Sequence, residues 1–183
     1  MLAVDDAEQL PVAAARAGSA GAWEILFRRY QLPLYSYVME LLHHEQTALD
    51  VVQEAFISAT RHLGSLRDHA RFGSWLFGIA HQKCQQHWRK AGREEPLDET
   101  FLEHPDVEPL PAERLERGED FAALMAALDQ LSPPHRAVLL LHGLEEFSLE
   151  EIADITGASL GTVKSRLHYA RKQARELLME RTR

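Results

Sequence analysis

The chain has 183 residues, of which 45% are hydrophobic, and a formal net charge of −8 at pH 7. No apolar run approaches the roughly 20 residues that cross a bilayer, and the acidic N-terminus lacks the Lys or Arg of a signal peptide. The single cysteine, Cys84, excludes an internal disulfide and fits a reducing compartment, so we expect a cytoplasmic protein of one domain or two small ones.

Three amphipathic helices are predicted in the first half of the chain. The first covers residues 22–42, where aromatic and aliphatic side chains recur at helical steps, and Pro33 is expected to kink or split it. The second covers residues 47–62 and the third residues 74–90. Together with a short helix near residues 12–17, they predict a bundle of three or four helices.

An acidic, proline-containing segment follows at residues 91–118 and is typical of an extended linker. Residues 91–120 hold eleven acidic and three basic residues, so the rest of the chain is balanced in charge. Six basic residues against one acidic residue lie within 61–90, and seven against two lie within 159–183. Because salt screens charges beyond roughly 8–10 Å, these two basic patches decide phosphate attraction more than the net charge does.

The end of the chain carries its most specific local pattern. Ser148 and Glu151 have the spacing of a capping box, which marks the start of a short helix. Gly157 suits the left-handed end of that helix, and Ser159 suits the cap of the next one. Two helices joined by a short glycine turn form a helix-turn-helix, whose second helix enters the DNA major groove.

The predicted fold is therefore all-α, with two small helical domains. Residues 1–90 form the first domain, residues 91–118 the acidic linker, and residues 119–183 a helix-turn-helix domain.

Five segments, in this order, resemble the extracytoplasmic-function sigma factors, the small class of bacterial RNA polymerase specificity subunits. They are ALDVVQEAF at 48–56, FGSWLFGIA at 72–80, LSPPHRAVLLL at 131–141, SLEEIA at 148–153 and GTVKSRLHYAR at 161–171. The family has two helical domains, called region two and region four, joined by a variable linker. The resemblance implies a subunit that is not an enzyme, needs no cofactor, binds core RNA polymerase and promoter DNA, and is a target for an anti-sigma protein.

The resemblance implies that the second helix docks the polymerase through Asp50, Gln53 and Glu54. These residues lie at i, i+3 and i+4, so they share one helix face. An acidic and polar face suits the basic coiled-coil clamp that this family binds. From spacing alone, the same residues also fit an ordinary solvated face.

The resemblance also implies that the third helix and the loop before it read the −10 element as a melted single strand. A flipped base needs a pocket, a stacking surface and nearby cations. The residues expected to provide these are Arg67, His69, Arg71, Phe72, Gln82, Gln86, Arg89 and Lys90. The family often has Asn and Asp where this chain has Gln82 and Gln86, so no base preference is carried over. Trp75 fits either a melting wedge or a core residue.

The second helix of the helix-turn-helix is implied to read the −35 element as duplex DNA. Arg or Lys contacts guanine O6 and N7, while other side chains grip phosphates. The candidates are Thr162, Lys164, Ser165, Arg166, His168, Tyr169 and Arg171. Tyr169 stands where many relatives have a basic residue, which removes one contact or substitutes an apolar contact to a thymine methyl.

The linker is long enough to connect the two promoter elements. Fully extended, residues 91–118 reach about 90–100 Å, whereas elements about seventeen base pairs apart are separated by about 60 Å. Its acidic residues are compatible with mimicry of the transcript inside polymerase channels and with a simple solubilising tether.

Three other interpretations stay open. One is a sigma mimic that titrates an anti-sigma protein without touching DNA, and another is a stand-alone helix-turn-helix regulator. The last is a metalloenzyme that uses His81, Cys84 and His87, which lie within a sector of about 120° on one helix. Because one helix rarely supplies three tetrahedral ligands, no metal site is expected.

Overall fold

The structure is a computed structural model that describes residues 10–90, 92 and 125–181, and its regular structure within those residues is helical. The helices are α1 (Val12–Arg16), α2 (Ala20–Leu42), α3 (Glu45–His62), α4 (Phe72–Lys90), α5 (Pro133–Gly143), α6 (Leu149–Thr156) and α7 (Leu160–Arg181). The prediction of an all-α fold is confirmed. Apart from residue 92, the predicted linker lies outside the described residues.

Aromatic side chains form the core of the first domain, between α2, α3 and α4. Tyr37, Phe72 and Phe77 are fully buried. The rings of Tyr30 and Phe72, and those of Tyr37 and Phe77, each have centroids 5.4 Å apart, so both pairs join α2 to α4. Tilted pairs of this kind contribute about 0.5–1.5 kcal/mol beyond the area that they bury.

Pro33 was expected to kink or split this segment, and the split does not occur, because α2 runs through Pro33 as one element. Proline removes one backbone hydrogen bond. Pro33 is itself buried, and Leu26 and Leu34 on the same helix are fully buried. Packing of this apolar face, which supplies most helix stability in proteins, outweighs the local cost.

Two helix starts differ slightly from the predicted ones. The helix α3 begins at Glu45, where the Nδ1 atom of His44 accepts a hydrogen bond from the Thr47 backbone at 3.2 Å. Histidine is not among the preferred N-cap residues, which explains why the sequence pattern did not mark it. The helix α4 begins at Phe72, two residues before the predicted start.

The helix-turn-helix has the caps that the sequence predicts. The Ser148 hydroxyl accepts from the Glu151 backbone at 3.2 Å, and the Glu151 carboxylate accepts from the Ser148 backbone at 3.0 Å. Gly157, with φ of +68°, ends α6 in the left-handed region. The Ser159 hydroxyl then accepts from the Thr162 backbone at 3.1 Å and fixes the start of α7. Both helices therefore begin and turn through local side-chain contacts.

The second domain packs directly on the first, mainly through α6 against α4. The rings of Phe77 and Phe147 meet edge to face, with centroids 5.1 Å apart. The backbones are close at Gly78, where an added Cβ atom would lie in ordinary van der Waals contact with the Ile155 Cα atom, at 3.7 Å. We call this contact the domain joint. Its residues are Arg71, Phe77, Gly78 and Gln85 of the first domain and Phe147, Asp154, Ile155 and Thr156 of the second.

Arg136 of α5 makes a second connection between the domains and is 5% exposed. Within its own domain, its guanidinium donates to the carbonyls of Leu128, Asp129 and Leu131, at 2.8, 2.6 and 3.2 Å. It also donates to the Glu40 carbonyl near the end of α2, at 2.9 Å, and contacts the His43 ring. Arg136 therefore closes the turn before α5 and holds that turn against α2.

Glu145, in the turn between α5 and α6, makes stability depend on pH. Burial raises the pKa of Glu145 from 4.5 to about 7. Folding therefore favours the protonated carboxyl group. The contribution of Glu145 to the free energy of unfolding is fully present below pH 4.5 and is lost as the pH rises through 7. We expect Glu145→Gln to remove this pH-dependent decrease in the free energy of unfolding, which is on the order of 1 kcal/mol once solvent screening is taken into account.

Urea titrations between pH 5 and pH 8 measure this effect. The free energy of unfolding of Glu145→Gln should rise relative to the original chain as the pH increases. Glu150→Gln is the matched control, because Glu150 is exposed in the first turn of α6. A difference between Glu145→Gln and the original chain that stays constant across this range would contradict the assignment.

Candidate nucleic-acid interface

One face of α7 is buried, and this fixes which of its side chains face outward. Val163, Leu167, Ala170 and Ala174 recur at steps of three or four residues and are all buried. Residues between them therefore lie on the other faces of the helix. Lys164 and Tyr169 are exposed, and the other predicted −35 residues are half-buried, namely Thr162, Ser165, Arg166, His168 and Arg171.

Some of these side chains also serve the second domain itself. The Thr162 hydroxyl lies 2.8 Å from the Ser159 hydroxyl at the start of α7. Arg171 Nη2 lies 3.3 Å from His142 Nδ1 on α5. Burial, followed by the charge of Arg171, lowers the pKa of His142, which favours the neutral ring beside the guanidinium. His142 was not predicted from the sequence, since its position shows no distinctive spacing.

Aromatic contacts hold the exposed ring of Tyr169. Its centroid lies 6.3 Å from that of His135 on α5 and 5.5 Å from that of His168. The ring is 37% exposed. It therefore presents an apolar edge on the surface of α7.

Arg166 is positioned near the first domain. Burial lowers the pKa of His81 on α4 to about 4, and the positive charge of Arg166 adds to that shift. The guanidinium of Arg166 therefore acts across the boundary between α7 and α4. The charge of one predicted −35 residue is therefore felt at a buried histidine of the domain predicted to read the −10 element.

The predicted −10 residues fall into three groups. Arg67 and Arg71 are exposed and His69 is half-buried in the connection before α4. Phe72 is 0% exposed, with its ring centroid 6.4 Å from that of Trp23. The expectation that Phe72 offers a stacking surface from the loop is therefore not met in this conformation, because the residue opens α4 and points into the core. Trp75, one turn further on, is half-buried and packs against that core.

The third group is a polar stripe along α4. Gln82, Gln86, Arg89 and Lys90 are all exposed and recur at steps of three or four residues, so they share one side of the helix. This arrangement places cations beside amide groups over more than two helical turns. It suits contacts with phosphates together with base edges.

A cleft of about 460 Å³ lies where this stripe meets the second domain. Its walls include Arg71, Trp75 and Gln82 from the first domain and Asp154 and Thr156 from α6. Arg71 Nη2 lies 2.5 Å from the Asp154 carboxylate, so an ion pair between the domains forms part of the cleft wall. Two of the predicted −10 residues, Arg71 and Gln82, therefore border the domain joint.

The predicted docking residues form an exposed face on α3. Asp50, Gln53 and Glu54 are all exposed. The Glu54 carboxylate lies 2.8 Å from Lys83 Nζ on α4, and this hydrogen bond is the main cause that lowers the pKa of Glu54. Two exposed apolar residues that were not predicted also lie on this face: Leu49 and Ile57, which are 46% and 42% exposed. They lie at i−4 and i+4 of Gln53, and this spacing was the available signal.

Of the three candidate metal ligands, His81 and Cys84 are buried and His87 is exposed. The Tyr37 hydroxyl lies 2.7 Å from Nδ1 of buried His81. Burial raises the pKa of Cys84 to about 12, whereas His87 is exposed. Among the described residues, no group of three or more His, Cys, Asp or Glu side chains is placed to hold a metal ion. Within residues 10–90 and 125–181, no helix has the length and apolar character that a membrane span requires.

Comparisons with known proteins agree on one family. The family models described as Sigma-70 region 2 and Sigma-70, region 4 match residues 26–94 and 121–173. The RNA polymerase sigma factor YlaC of Bacillus subtilis is 32% identical over 161 residues, which cover 84% of this chain and 90% of that protein. The ECF RNA polymerase sigma factor SigM of Mycobacterium tuberculosis is 34% identical over 175 residues, which cover 94% and 84%.

A solved structure has the same fold. It is the sigma factor RpoE in complex with the anti-sigma factor NepR from Bartonella quintana. The match has a TM-score of 0.64 and 29% identity, and covers 85% of this chain and 98% of that chain.

Proposed function

The chain belongs to the extracytoplasmic-function class of sigma factors, and from this membership we propose how its two domains share promoter recognition. As a sigma factor, it directs core RNA polymerase to specific promoters and initiates transcription. We assign polymerase docking and −10 recognition to residues 1–90, tethering to residues 91–118 and −35 recognition to residues 119–183. The observation that carries this assignment is the match of the two sigma-70 regions, in order, on either side of the acidic segment.

The −10 surface is proposed to be the polar stripe of α4 together with the cationic connection before it. The stripe contributes Gln82, Gln86, Arg89 and Lys90, and the connection contributes Arg67, His69 and Arg71. Cations beside amide groups support contacts with phosphates and with the edges of unstacked bases. Phe72 is buried and does not contact DNA in this proposal. It anchors in the core the start of α4, the helix that carries the stripe.

The docking surface is proposed to be Asp50, Gln53 and Glu54 with the apolar residues Leu49 and Ile57. An interface of this kind combines apolar contacts with charge complementarity, which speeds encounter and fixes the register. We propose that the chain acts by binding alone, in the cytoplasm where the polymerase works, and that the polymerase carries out all the synthesis.

An anti-sigma protein is the proposed inhibitor. The matched sigma factor of Bartonella quintana was solved in complex with an anti-sigma factor. A protein that covers the docking surface would hold this chain away from core polymerase. Its most direct contacts would be the exposed apolar residues Leu49 and Ile57.

Co-purification with core RNA polymerase tests the proposed function. A tagged chain should retain core polymerase, and the complex should survive treatment with a nuclease. A stand-alone helix-turn-helix regulator would bind DNA without retaining polymerase in this experiment. Loss of the polymerase would therefore overturn the proposal.

The proposed −35 contacts predict the effect of two substitutions in α7. Lys164→Ala and Arg166→Ala should each weaken binding of the holoenzyme to its −35 duplex by about 1–3 kcal/mol if a base contact is lost. The duplex is chosen by mapping transcription starts after overexpression, and binding is followed by fluorescence anisotropy. Lys172→Ala is the matched control, because Lys172 is an exposed cation on the same helix. If all three variants lose the same affinity for the duplex, the loss reflects the removal of a positive charge and the proposed base contacts are contradicted.

A further inference from the structure

We infer that Tyr169 makes the −35 surface selective for thymine at one position, through contact of its ring with the 5-methyl group of that base. His135 of α5 is the positioning residue that holds this ring in place. The inference rests on the proposed role of α7 in reading the −35 duplex. It adds which group of the DNA one side chain recognises, and it names a residue outside α7 that acts through that side chain.

Tyr169 lies on the outward side of α7, together with other residues proposed to face the duplex. It comes four residues after Ser165 and seven after Thr162, so the three share one side of the helix. Aromatic side chains in helices point back toward the N-terminus, so the ring of Tyr169 leans over the turn that carries Ser165. Because the N-terminal residues of a recognition helix contact base edges, the ring is directed toward the base-reading end of α7.

Two imidazole rings hold the ring of Tyr169, one from α5 and one from α7. The ring centroid of His135 lies 6.3 Å from that of Tyr169, with 35° between the planes, and the ring of His168 is perpendicular at 5.5 Å. Both distances fall in the range of about 4.5–7 Å in which aromatic rings attract each other. The two histidines are half-buried, whereas Tyr169 is 37% exposed. The ring is therefore restrained by its neighbours and still accessible from solvent.

A restrained aromatic ring in the major groove favours one base. Thymine is the base that presents a methyl group there, and apolar side chains contact it. Attraction to phosphate comes from cations, which α7 supplies at exposed Lys164 and Lys172, and an uncharged ring adds nothing to that attraction. Contact with a single methyl group requires a fixed ring, since dispersion weakens steeply with distance. The two imidazoles provide this restraint, so we favour a methyl group over a phosphate as the partner of Tyr169.

The position of His135 is set by the framework of the second domain. His135 lies in the first turn of α5, which packs against α7. The next residue, Arg136, fixes this turn by donating to the carbonyls of Leu128 and Asp129, at 2.8 and 2.6 Å. Side chains held by such a supporting shell keep a binding residue in one geometry. A substitution in α5 should therefore change the base selectivity of α7 without altering any residue of α7.

Replacement of thymine by uracil in the −35 duplex tests the inference, because it removes only the methyl group. Deoxyuridine is placed at each thymine in turn, in the duplex used for the Lys164 and Arg166 variants, and binding of the holoenzyme is followed by fluorescence anisotropy. At one position the affinity should fall about fourfold, as expected for one buried methyl group. Equal affinities at every thymine would overturn the inference, while binding of the duplex itself would still support the proposed function.

Substitutions of Tyr169 show whether its ring makes the contact. Tyr169→Ala should bind the thymine and uracil duplexes equally, whereas Tyr169→Phe retains the ring and should keep the ratio of the two affinities. Met179→Ala is the matched control and should also keep the ratio, because Met179 is an apolar residue of the same helix that is 62% exposed. If Tyr169→Ala keeps the ratio, or Tyr169→Phe loses it, the ring does not read the methyl group and the inference is overturned.

Substitutions of His135 test its positioning role. His135→Ala should lower the ratio toward one, by reducing the affinity for the thymine duplex more than that for the uracil duplex. His135→Phe puts a ring back at this position and should restore the ratio. His62→Ala is the matched control, because His62 is exposed at the end of α3 in the first domain. Circular dichroism checks that each variant remains helical. An unchanged ratio in His135→Ala, or an equal loss of affinity for both duplexes, would overturn the role of His135.

Discussion

The double charge reversal Asp50→Arg with Glu54→Arg is expected to remove most binding of the chain to core RNA polymerase. Both carboxylates are exposed on α3, on the face that also presents Leu49 and Ile57. Like charges placed against a basic clamp cost several kcal/mol, so we expect the affinity to fall on the order of a hundredfold, about 2.7 kcal/mol. Pull-down of purified core polymerase by the tagged variant measures this loss.

Two controls separate docking from folding and from overall charge. Glu54 pairs with Lys83 at 2.8 Å, so its reversal also removes a contact between α3 and α4. That pair is exposed on the Glu54 side and is worth about 0–1 kcal/mol, so the fold should persist. Glu150→Arg with Glu176→Arg changes the net charge equally at exposed positions of the second domain. If the two double variants bind core polymerase equally well, the docking face lies elsewhere.

Arg136→Ala is expected to cause a large loss of stability. The guanidinium is buried and donates to four carbonyls, three in the turn before α5 and one, of Glu40, at the end of α2. Buried acceptors that lose their donor cost about 1–3 kcal/mol each unless water replaces it, so we expect a total near 3–5 kcal/mol. Since proteins are stable by about 5–15 kcal/mol, much of this domain's stability would be lost. Urea titration followed by circular dichroism measures the change.

Arg28→Ala provides the comparison for Arg136→Ala. Arg28 forms an ion pair with Glu24 one turn away, and the two side chains are 73% and 60% exposed. Its removal should change the free energy of unfolding by less than about 1 kcal/mol. Arg136→Lys keeps the charge but loses the planar fork, so it should fall between the two. A cost for Arg136→Ala as small as that for Arg28→Ala would show that water readily satisfies the freed carbonyls.

Local signals in the sequence predicted the second domain well. The capping box at Ser148 and Glu151, the left-handed Gly157 and the cap at Ser159 each depend on residues within four positions. Such contacts leave a fixed spacing in the sequence. The buried face of α7 also follows a local pattern, because its residues recur at helical steps.

Contacts between residues far apart in the chain left no comparable pattern in the sequence. Pro33 was expected to kink or split α2, but the helix continues through this buried proline. Phe72 was assigned to a DNA-facing loop, yet it anchors α4 against Trp23 and Tyr30. The domain joint joins Arg71 to Asp154, which are 83 positions apart, and no periodicity relates residues at that distance.

For the candidate DNA-reading residues too, the sequence shows the residue types but not how they are arranged in space. The cationic and polar residues of α4 and α7 are visible in the sequence as two basic patches. Their arrangement is not visible there, since the patches lie on opposite sides of an acidic segment. Only the structure brings the charge of Arg166 to bear on His81 and places Arg71 at the edge of the domain joint.

Run-off transcription with purified core RNA polymerase is the most direct test of the central claim that this chain is a promoter-specificity subunit. The templates are genomic fragments upstream of the transcription starts that appear after overexpression. The account predicts discrete transcripts when the chain is added to core polymerase and none from core polymerase alone. An absence of promoter-dependent transcripts at every ratio of chain to core polymerase would contradict the account.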